Sequence, residues 1–353
     1  MSFRTRRVLF STPFYMLFEF FLFKYIFLLV GGLDDAYLLL LTVFIGLNRF
    51  MPMFFEAKKS RKITRFLTTV DGVWMWASVM FLIDIVVIYI TGNFISLSTQ
   101  INICLLLIVP ILGVYNYYKA HNLVVHEKTL KLDNITHNIN IAHLSDVHFG
   151  SVRHKKIIRD ISDKLNSLNC DIAIISGDLA DGSSVVLEDD FMAFKDVKMP
   201  IVFTPGNHDF YMGIENVINA CRKAGVIVLD NVSMQFKDLN IYGLPFSFDD
   251  RSNPKLDESL ICKDKINIIN YHVPYFWQEF SELGFDIQLS GHTHGGQFYP
   301  VVWFGNLMFG YNMGLFKNSL GKYLHVTTGV GSMDTPMRWG TDSELVILKL
   351  RKR

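Results

Sequence analysis

The 353-residue chain is short of charge. Asp, Glu, Lys and Arg make up only 19% of it, while 50% is hydrophobic and 14% aromatic. It also lacks a charge excess, with 34 Lys+Arg against 33 Asp+Glu, and so lacks the basic balance on which general nucleic-acid binding rests. Its four cysteines (Cys104, Cys170, Cys221, Cys262) are far apart and form no CxxC pair, which points to structural thiols in a reducing compartment. The charge that is present is unevenly spread. Residues 1–120 hold 11 Lys+Arg and 6 Asp+Glu, a net of +5, and the remainder holds 23 and 27, a net of −4. A basic, apolar N-terminal part thus precedes a mildly acidic one. The expected domains are 1–120, four transmembrane helices, and 121–353, a cytosolic domain.

Four apolar stretches, Val8–Val30, Ala36–Phe55, Val70–Ile90 and Ile101–Tyr118, each have about the 17–25 residues that cross a hydrocarbon core as a helix. The first is too long for a signal peptide, and no small-residue cleavage site follows it. Arg4, Arg6 and Arg7 precede the first span, and Lys58, Lys59, Arg61, Lys62 and Arg65 cluster between the second and third. The connection after the first span has only Asp34 and Asp35, and the connection "TGNFISLSTQ" has no charge. This alternation predicts a multi-pass protein of the cytoplasmic membrane, with the N-terminus and the C-terminal domain on the cytosolic side. Glu19, Lys24 and Asp84 fall inside spans, where charge is expensive. Two readings are open: a polar groove that meets a lipid headgroup, or local satisfaction. A Glu19–Lys24 pair is the expectation for the first two. Trp74, Trp76 and Tyr89 suit interfacial anchoring.

Beyond the spans, "LVVHEKTLKLDNI" alternates apolar and polar residues and predicts a first strand. Five short apolar runs then end in polar residues: "INIAHLSDVHFG" in Asp146 and His148, "CDIAIISGDLAD" in Asp178, "MPIVFTPGNHDF" in Asn207, His208 and Asp209, "KINIINYHVP" in His272, and "FDIQLSGHTHGG" in His292 and His294. A helical pattern over Lys155–Asn169 lies between them, with Ile157, Ile158, Ile161 and Leu165 at helical spacing. Strands alternating with helices predict an α/β fold with its site at strand ends. One histidine beside a strand means little, and His292 and His294 alone could be ligands, turn residues or a proton relay. The collection is different. Asp, His and Asn are N/O donors suited to Mn²⁺, Mg²⁺, Fe²⁺ or Zn²⁺. A carboxylate such as Asp178 can bridge two cations, as in two-metal hydrolytic sites.

In order, "DVH", "GD", "GNHD", a lone His and "GHTH" resemble the calcineurin-like metallophosphoesterases, over Ile141 to Leu350. The resemblance implies a two-sheet β-sandwich flanked by helices and two divalent ions, Mn²⁺ being the expectation. It implies Asp146, His148, Asp178 and His294 on one ion, and Asp178, Asn207, His272 and His292 on the other. His208 would contact the scissile phosphate and protonate the leaving group, with Asp209 orienting it. The implied reaction is metal-dependent hydrolysis of a phosphate ester or anhydride.

A cytosol-facing dimetal hydrolase on four spans is similar to the membrane-anchored UDP-2,3-diacylglucosamine pyrophosphatases of lipid A synthesis. Such an enzyme would release UMP and 2,3-diacylglucosamine 1-phosphate, with the bilayer and a lipid-linked phosphate as its partners. The run "FYPVVWFGNLMFGYNMGLF" after the last histidines reads equally as an apolar lip for acyl chains or as core. Arg153, Lys155 and Arg338 are candidate phosphate contacts; for Arg153 and Lys155 a solvated helix start is the competing reading. A phosphodiesterase or phosphatase for another lipid-linked or envelope phosphate is the alternative enzyme. A membrane sensor or scaffold with a phosphoesterase-like binding domain is the alternative from another class.

Overall fold

The computed structural model describes residues 3–57, 59–248 and 256–353; Lys58 and the side chains of Arg4, Arg6 and Arg7 lie outside the described residues. The chain divides into two compact units, one of residues 1–119 with 334–337, the other of 120–333 with 338–353.

The first unit is helical: α1 (Phe3–Val30), α2 (Asp35–Glu56), α3 (Lys62–Gly92), α4 (Thr99–Leu106) and α5 (Ile108–His121), whose last residues enter the second unit. Helices α4 and α5 together make the fourth of the four helices among the described residues that are long and apolar enough to cross a membrane. Their outward faces carry apolar side chains such as Phe10, Phe44, Leu28 and Val114, as a lipid-facing surface requires.

The inward face is where expectation and structure part. Glu19 does not pair with Lys24. It is fully buried, where Trp74 Nε1 (3.0 Å) and Ser78 Oγ (2.7 Å) donate to its carboxylate. Lys24 instead pairs with Asp35 at 3.1 Å. Trp76 is buried and Trp74 is spent on Glu19, so of the three expected interfacial anchors only Tyr89 is strongly exposed. Arg49 lies over the Tyr15 ring, 4.3 Å from its centroid. Buried charge is here accommodated by donors on neighbouring helices, the other route open to it in a low dielectric. Asp84 Oδ2 is buried without a hydrogen-bond partner.

The second unit is α/β. Its strands are β1 (Leu123–Leu132), β2 (Ile139–Leu144), β3 (Ile172–Ser176), β4 (Ile201–Thr204), β5 (Ile227–Val228), β6 (Val232–Phe236), β7 (Leu239–Leu244), β8 (Ile266–Tyr271), β9 (Ile287–Ser290), β10 (Gly314–Lys317), β11 (Tyr323–Val326) and β12 (Ser343–Lys352). Helices α6 (Lys155–Asn166), α7 (Ile214–Lys223), α8 (Trp277–Leu283) and α9 (Val301–Met308) connect them. Two six-stranded mixed sheets result, in the orders β1-β12-β2-β3-β4-β5 and β10-β11-β9-β8-β7-β6. The four N-terminal apolar helices and the two flanked sheets match the expected architecture; α6 stops three residues before the predicted end.

Side-chain alternation explains why two sheets pack. On β2 and β3, Ile139, Ile141, Ile172 and Ile174 face the other sheet and meet Ile241, Ile268, Ile287 and Leu289. Ala142, Leu144, Ala173 and Ile175, on the opposite face, cover Ile157, Ile158, Ile161 and Leu165 of α6. A period of two thus builds two cores from one strand. At the strand ends the inter-sheet layer turns polar. His143, Ser176, Thr204, Asn270 and His325 continue the same inward-facing rows, all buried. They bond to one another: His143 Nδ1 to His325 Nδ1 (2.7 Å), His143 Nε2 to Ser176 Oγ (2.7 Å), Ser176 Oγ to Asn270 Oδ1 (2.5 Å) and Asn270 Nδ2 to Thr204 Oγ1 (2.9 Å). The metal-ligand candidates begin one turn of chain beyond this floor.

Candidate metal centre

Asp146 and His148 follow β2, Asp178 follows β3, Asn207 and His208 follow β4, His272 follows β8, and His292 and His294 follow β9. Strand-end loops from both sheets thus bring the histidine and carboxylate candidates together in three overlapping groups: Asp146, His148 and His294; His148, Asp178 and His208; Asp178, His272 and His292. Within each group one donor atom per residue lies within 4.8 Å of the others. His294 Nε2 is 3.0 Å from His148 Nε2 and 3.3 Å from Asp146 Oδ1. His272 Nε2 is 3.1 Å from Asp178 Oδ2, and His292 Nδ1 is 3.0 Å from Asn207 Oδ1 and 3.3 Å from His272 Nε2. Asp178 links the clusters, its Oδ2 lying 4.0 Å from His148 Nε2 as well.

The backbone bends to make this convergence. Asp146, His148, Asp178, His292 and His294 all have positive φ, between 50° and 71°. That left-handed region disfavours side chains with a Cβ, and such strain persists where surrounding structure over-determines it. Close packing supplies the constraint. A Cβ on Gly291 would lie 2.2 Å from Asp146 Oδ2, and one on Gly329 (φ +83°) would lie 2.6 Å from Asp146 Cβ. The Gly331 amide donates to the Asp146 carbonyl (2.7 Å), and the Val330 amide to that of Ser145 (3.0 Å).

The donor set fits divalent cations. Asp146 Oδ1 and the Nδ1 atoms of His148 and His294 are buried without hydrogen-bond partners, and two buried carboxylates stand among imidazoles. Burial opposes ionisation of Asp146 and Asp178, but neighbouring histidines outweigh it and hold both carboxyls below their usual range. Burial pulls His292 down to about 4 and His294 to about 3. Burial also opposes the charged forms of His148 and His272, but the carboxylates outweigh it, raising His148 and lifting His272 to about 10. Ionised carboxylates and neutral imidazoles are the ligating forms, so a cation would displace these two protons. His272 Nδ1 donates to the Ser176 carbonyl (2.7 Å), which turns Nε2 toward Asp178. Asn207 Nδ2 donates to the Tyr211 hydroxyl (3.2 Å), leaving Oδ1 toward His292.

Residues assigned other work by sequence are corrected here. Asp209 does not hold the His208 ring: its carboxylate accepts the amides of Asp178 (2.9 Å), Ala180 (2.8 Å) and Gly206 (2.8 Å), tying two ligand loops together. Burial and then the nearby Asp178 push its carboxyl up to about 7. His208 Nδ1 donates instead to the Asp181 carbonyl (2.9 Å), and its amide donates to Asp178 Oδ1 (2.8 Å). Arg153 is buried, with its guanidinium on the Ala120 carbonyl and Ser332 Oγ. Lys155 pairs with Asp190 at 3.2 Å. Arg338 is fully buried and donates to the carbonyls of Thr328 (2.7 Å), Gly329 (3.0 Å) and Gly331 (2.8 Å) and to Thr341 Oγ1 (3.1 Å). It braces the loop behind Asp146 rather than facing a phosphate. The polar floor and the carbonyls of Ser176 and Asp181 escaped the sequence reading. The signal for the floor is a polar residue near the end of an apolar strand, as His143 in "INIAHL" and Asn270 in "INIINY".

Residues 139–296 match the model of the calcineurin-like phosphoesterases. The chain belongs to this family. An uncharacterized metallophosphoesterase of Helicobacter pylori is 28% identical to it over 234 residues, 64% of this chain and 63% of that one. The chain thus spans less than two thirds of that relative. The protein YpbG of Bacillus subtilis, also uncharacterized, is 32% identical over 217 residues, 58% of this chain and 80% of its own length. A transmembrane protein with a metallophosphoesterase domain from Danio rerio is 26% identical over 271 residues, 70% of this chain and 62% of that one. The metallophosphoesterase fold binds two divalent metal ions, and the clusters above have the donors to hold them.

Chelation is therefore expected to destabilise this phosphoesterase. A ligand at a thousandfold excess over its Kd stabilises the folded state by about 4 kcal/mol. EDTA should lower the apparent Tm and added Mn²⁺ restore it. An unchanged Tm in a sample free of divalent ions by elemental analysis would contradict the assignment.

Proposed function

We propose that the protein is a multi-pass hydrolase of the bacterial cytoplasmic membrane. Its catalytic unit faces the cytosol and cleaves UDP-2,3-diacylglucosamine to UMP and 2,3-diacylglucosamine 1-phosphate. The observation that carries the lipid reading is α9. This helix follows the last ligands and leaves Trp303, Phe304, Leu307 and Met308 exposed, with Leu307 at 83% and Met308 at 75%. Only Val302 and Gly305 of the helix are buried, which favours a lip for this part of the run, while Phe316 near its end packs against Trp277, Leu324 and Val326. Phe309, at the end of α9, lies 6.2 Å from the His292 ring. An exposed apolar patch this close to a phosphoesterase centre suits acyl chains.

In this reading Asp146, His148, Asp178 and His294 hold one ion, and Asp178, Asn207, His272 and His292 the other, with Mn²⁺ the metal proposed. When bound, the ions lower the pKa of water and neutralise phosphate oxygens. Water's oxygen bonds to the phosphorus on the uridine side, and the proton it sheds passes to solvent, from which His208 is reprotonated after each turnover. The bond from that phosphorus to the bridging oxygen breaks, and this oxygen leaves with the diacylglucosamine phosphate. His208, fixed through Nδ1 by the Asp181 carbonyl, supplies a proton to it. Asp209 keeps the loops of Asp178 and Asn207 in register through its three amide bonds.

The test is incubation of the purified full chain and Mn²⁺ with UDP-2,3-diacylglucosamine, with analysis of the phosphorus products. UMP is the expected product. Hydrolysis of bis(p-nitrophenyl) phosphate without any UMP from the lipid would overturn the substrate and favour another lipid-linked phosphate.

A further inference from the structure

Beside His292 a cavity of about 230 Å³ opens among five aromatic rings, Tyr211, Phe246, Phe248, Tyr271 and Tyr275. Phe246 and Tyr271 are buried and form its inner wall, while Tyr211, Phe248 and Tyr275 stand around its mouth, each 41–47% exposed. The rings are set at angles to one another. Phe248 meets Phe246 edge-on at 4.9 Å and 83°, and lies 6.2 Å from Tyr211 at 32°.

The wall is held by the elements that hold the ligands. The Phe246 amide donates to the Pro205 carbonyl (3.1 Å), two residues before Asn207. The Tyr211 hydroxyl accepts from Asn207. Gln288 Nε2 donates to the carbonyls of Val273 (3.2 Å) and Tyr275 (3.1 Å), which fixes the turn that carries Tyr275. The cavity is thus part of the centre and preformed with it.

Its chemistry selects the occupant. Among the described residues no Asp, Glu, Lys or Arg lines it, so these walls suit an uncharged group. At about 230 Å³ it falls below the roughly 300–1,000 Å³ of pockets that enclose a whole drug-sized ligand. It admits one ring system and not a diacylated sugar. Its aromatic walls, three of the five rings standing at the mouth, suit the face of a flat ring better than a flexible chain, for which the exposed apolar face of α9 offers another surface. A nucleotide carries such a flat, neutral ring, its base, one sugar away from the phosphorus.

We propose that this cavity receives the nucleobase of a nucleoside phosphate, gripped by its faces rather than read at its edges. The proposal rests on the reading above in taking the substrate to be a nucleotide ester or anhydride. Because stacking accepts any base, the site tolerates uracil and adenine alike. The specificity of the enzyme then lies in having a base on one side of the scissile bond and an apolar group on the other.

The experiment is calorimetric titration of the full chain, with Mn²⁺ present, by UMP, AMP, ribose 5-phosphate and n-hexyl phosphate. UMP and AMP are expected to bind within about threefold of each other, and each about tenfold tighter than ribose 5-phosphate or hexyl phosphate, the worth of one stacked base. Tyr275→Ala and Phe248→Ala, both at the exposed mouth, are expected to bring UMP down to the level of ribose 5-phosphate and leave ribose 5-phosphate unchanged. The proposal fails if UMP binds no tighter than ribose 5-phosphate, if hexyl phosphate binds tightest, or if the two variants bind UMP as the parent does. Base-dependent binding without cleavage of UDP-2,3-diacylglucosamine would sink the lipid substrate and leave the cavity's role standing. Cleavage unaffected by the two variants, with no base preference in binding, would do the reverse.

Discussion

Asp178→Asn is expected to lower hydrolysis by roughly 10³-fold or more, beyond the ~10²–10³ that follows loss of a single electrostatic donor. Asp178 is the carboxylate common to two of the donor groups that include His272 and His148, at 3.1 Å and 4.0 Å from Oδ2. Its other oxygen accepts the His208 amide. Asparagine keeps the size and one acceptor oxygen but removes the negative charge that a cation on either side would need. The fold should survive, since the side chain sits above the sandwich core and belongs to none of its apolar clusters. Two measurements decide it together. Steady-state rates should fall, and bound metal by elemental analysis should drop below the parent's. Parent-like rates with a full metal complement would remove Asp178 from the centre.

Arg338→Met is expected to act at a distance from the substrate, and more on stability. The substitution keeps the volume but strips hydrogen bonds from three backbone carbonyls and a threonine hydroxyl in a fully buried place. Hydrogen bonds to a charged group contribute about 1.5–3 kcal/mol each, and orphaned carbonyls add to the cost, so a loss of about 3 kcal/mol or more is expected. For a unit of this size that corresponds to a fall in Tm of roughly 6–12 °C. The loop thus released, Thr328–Gly331, is the one whose amides hold the backbone of Ser145 and Asp146. Hydrolysis should therefore fall through kcat with KM nearly unchanged. A guanidinium in contact with phosphate would instead raise KM and spare Tm, and that result would reverse the assignment.

Much of the architecture was legible because its signals are chemical and local. A run of twenty apolar residues has few homes other than a membrane, and Asp or His at the end of an apolar strand marks a loop that must satisfy it. Aspartate and histidine at "DVH" or "GHTH" also stand out against their glycine neighbours. What sequence could not reveal is direction. Arg153 and Arg338 look like free cations, but only the fold shows their guanidiniums turned inward onto carbonyls. Glu19 and Lys24 are five residues apart, more than one turn, and helix geometry sends them to different partners. Asp209 adjoins His208 in the chain, yet the short helical turn there points its carboxylate at two amides of the Asp178 loop and one of its own. The aromatic cavity draws on segments more than sixty residues apart, and no local pattern announces it.

The left-handed backbone at Asp146, His148, Asp178, His292 and His294 sets a limit on how such a protein can drift. Each conformation costs of order 1–3 kcal/mol, and glycine would relieve it. Stability alone would thus favour losing the very side chains that converge at the proposed metal centre. Lineages that no longer need the reaction have a downhill route at these five positions, toward sturdier, inert sandwiches with the same sheets.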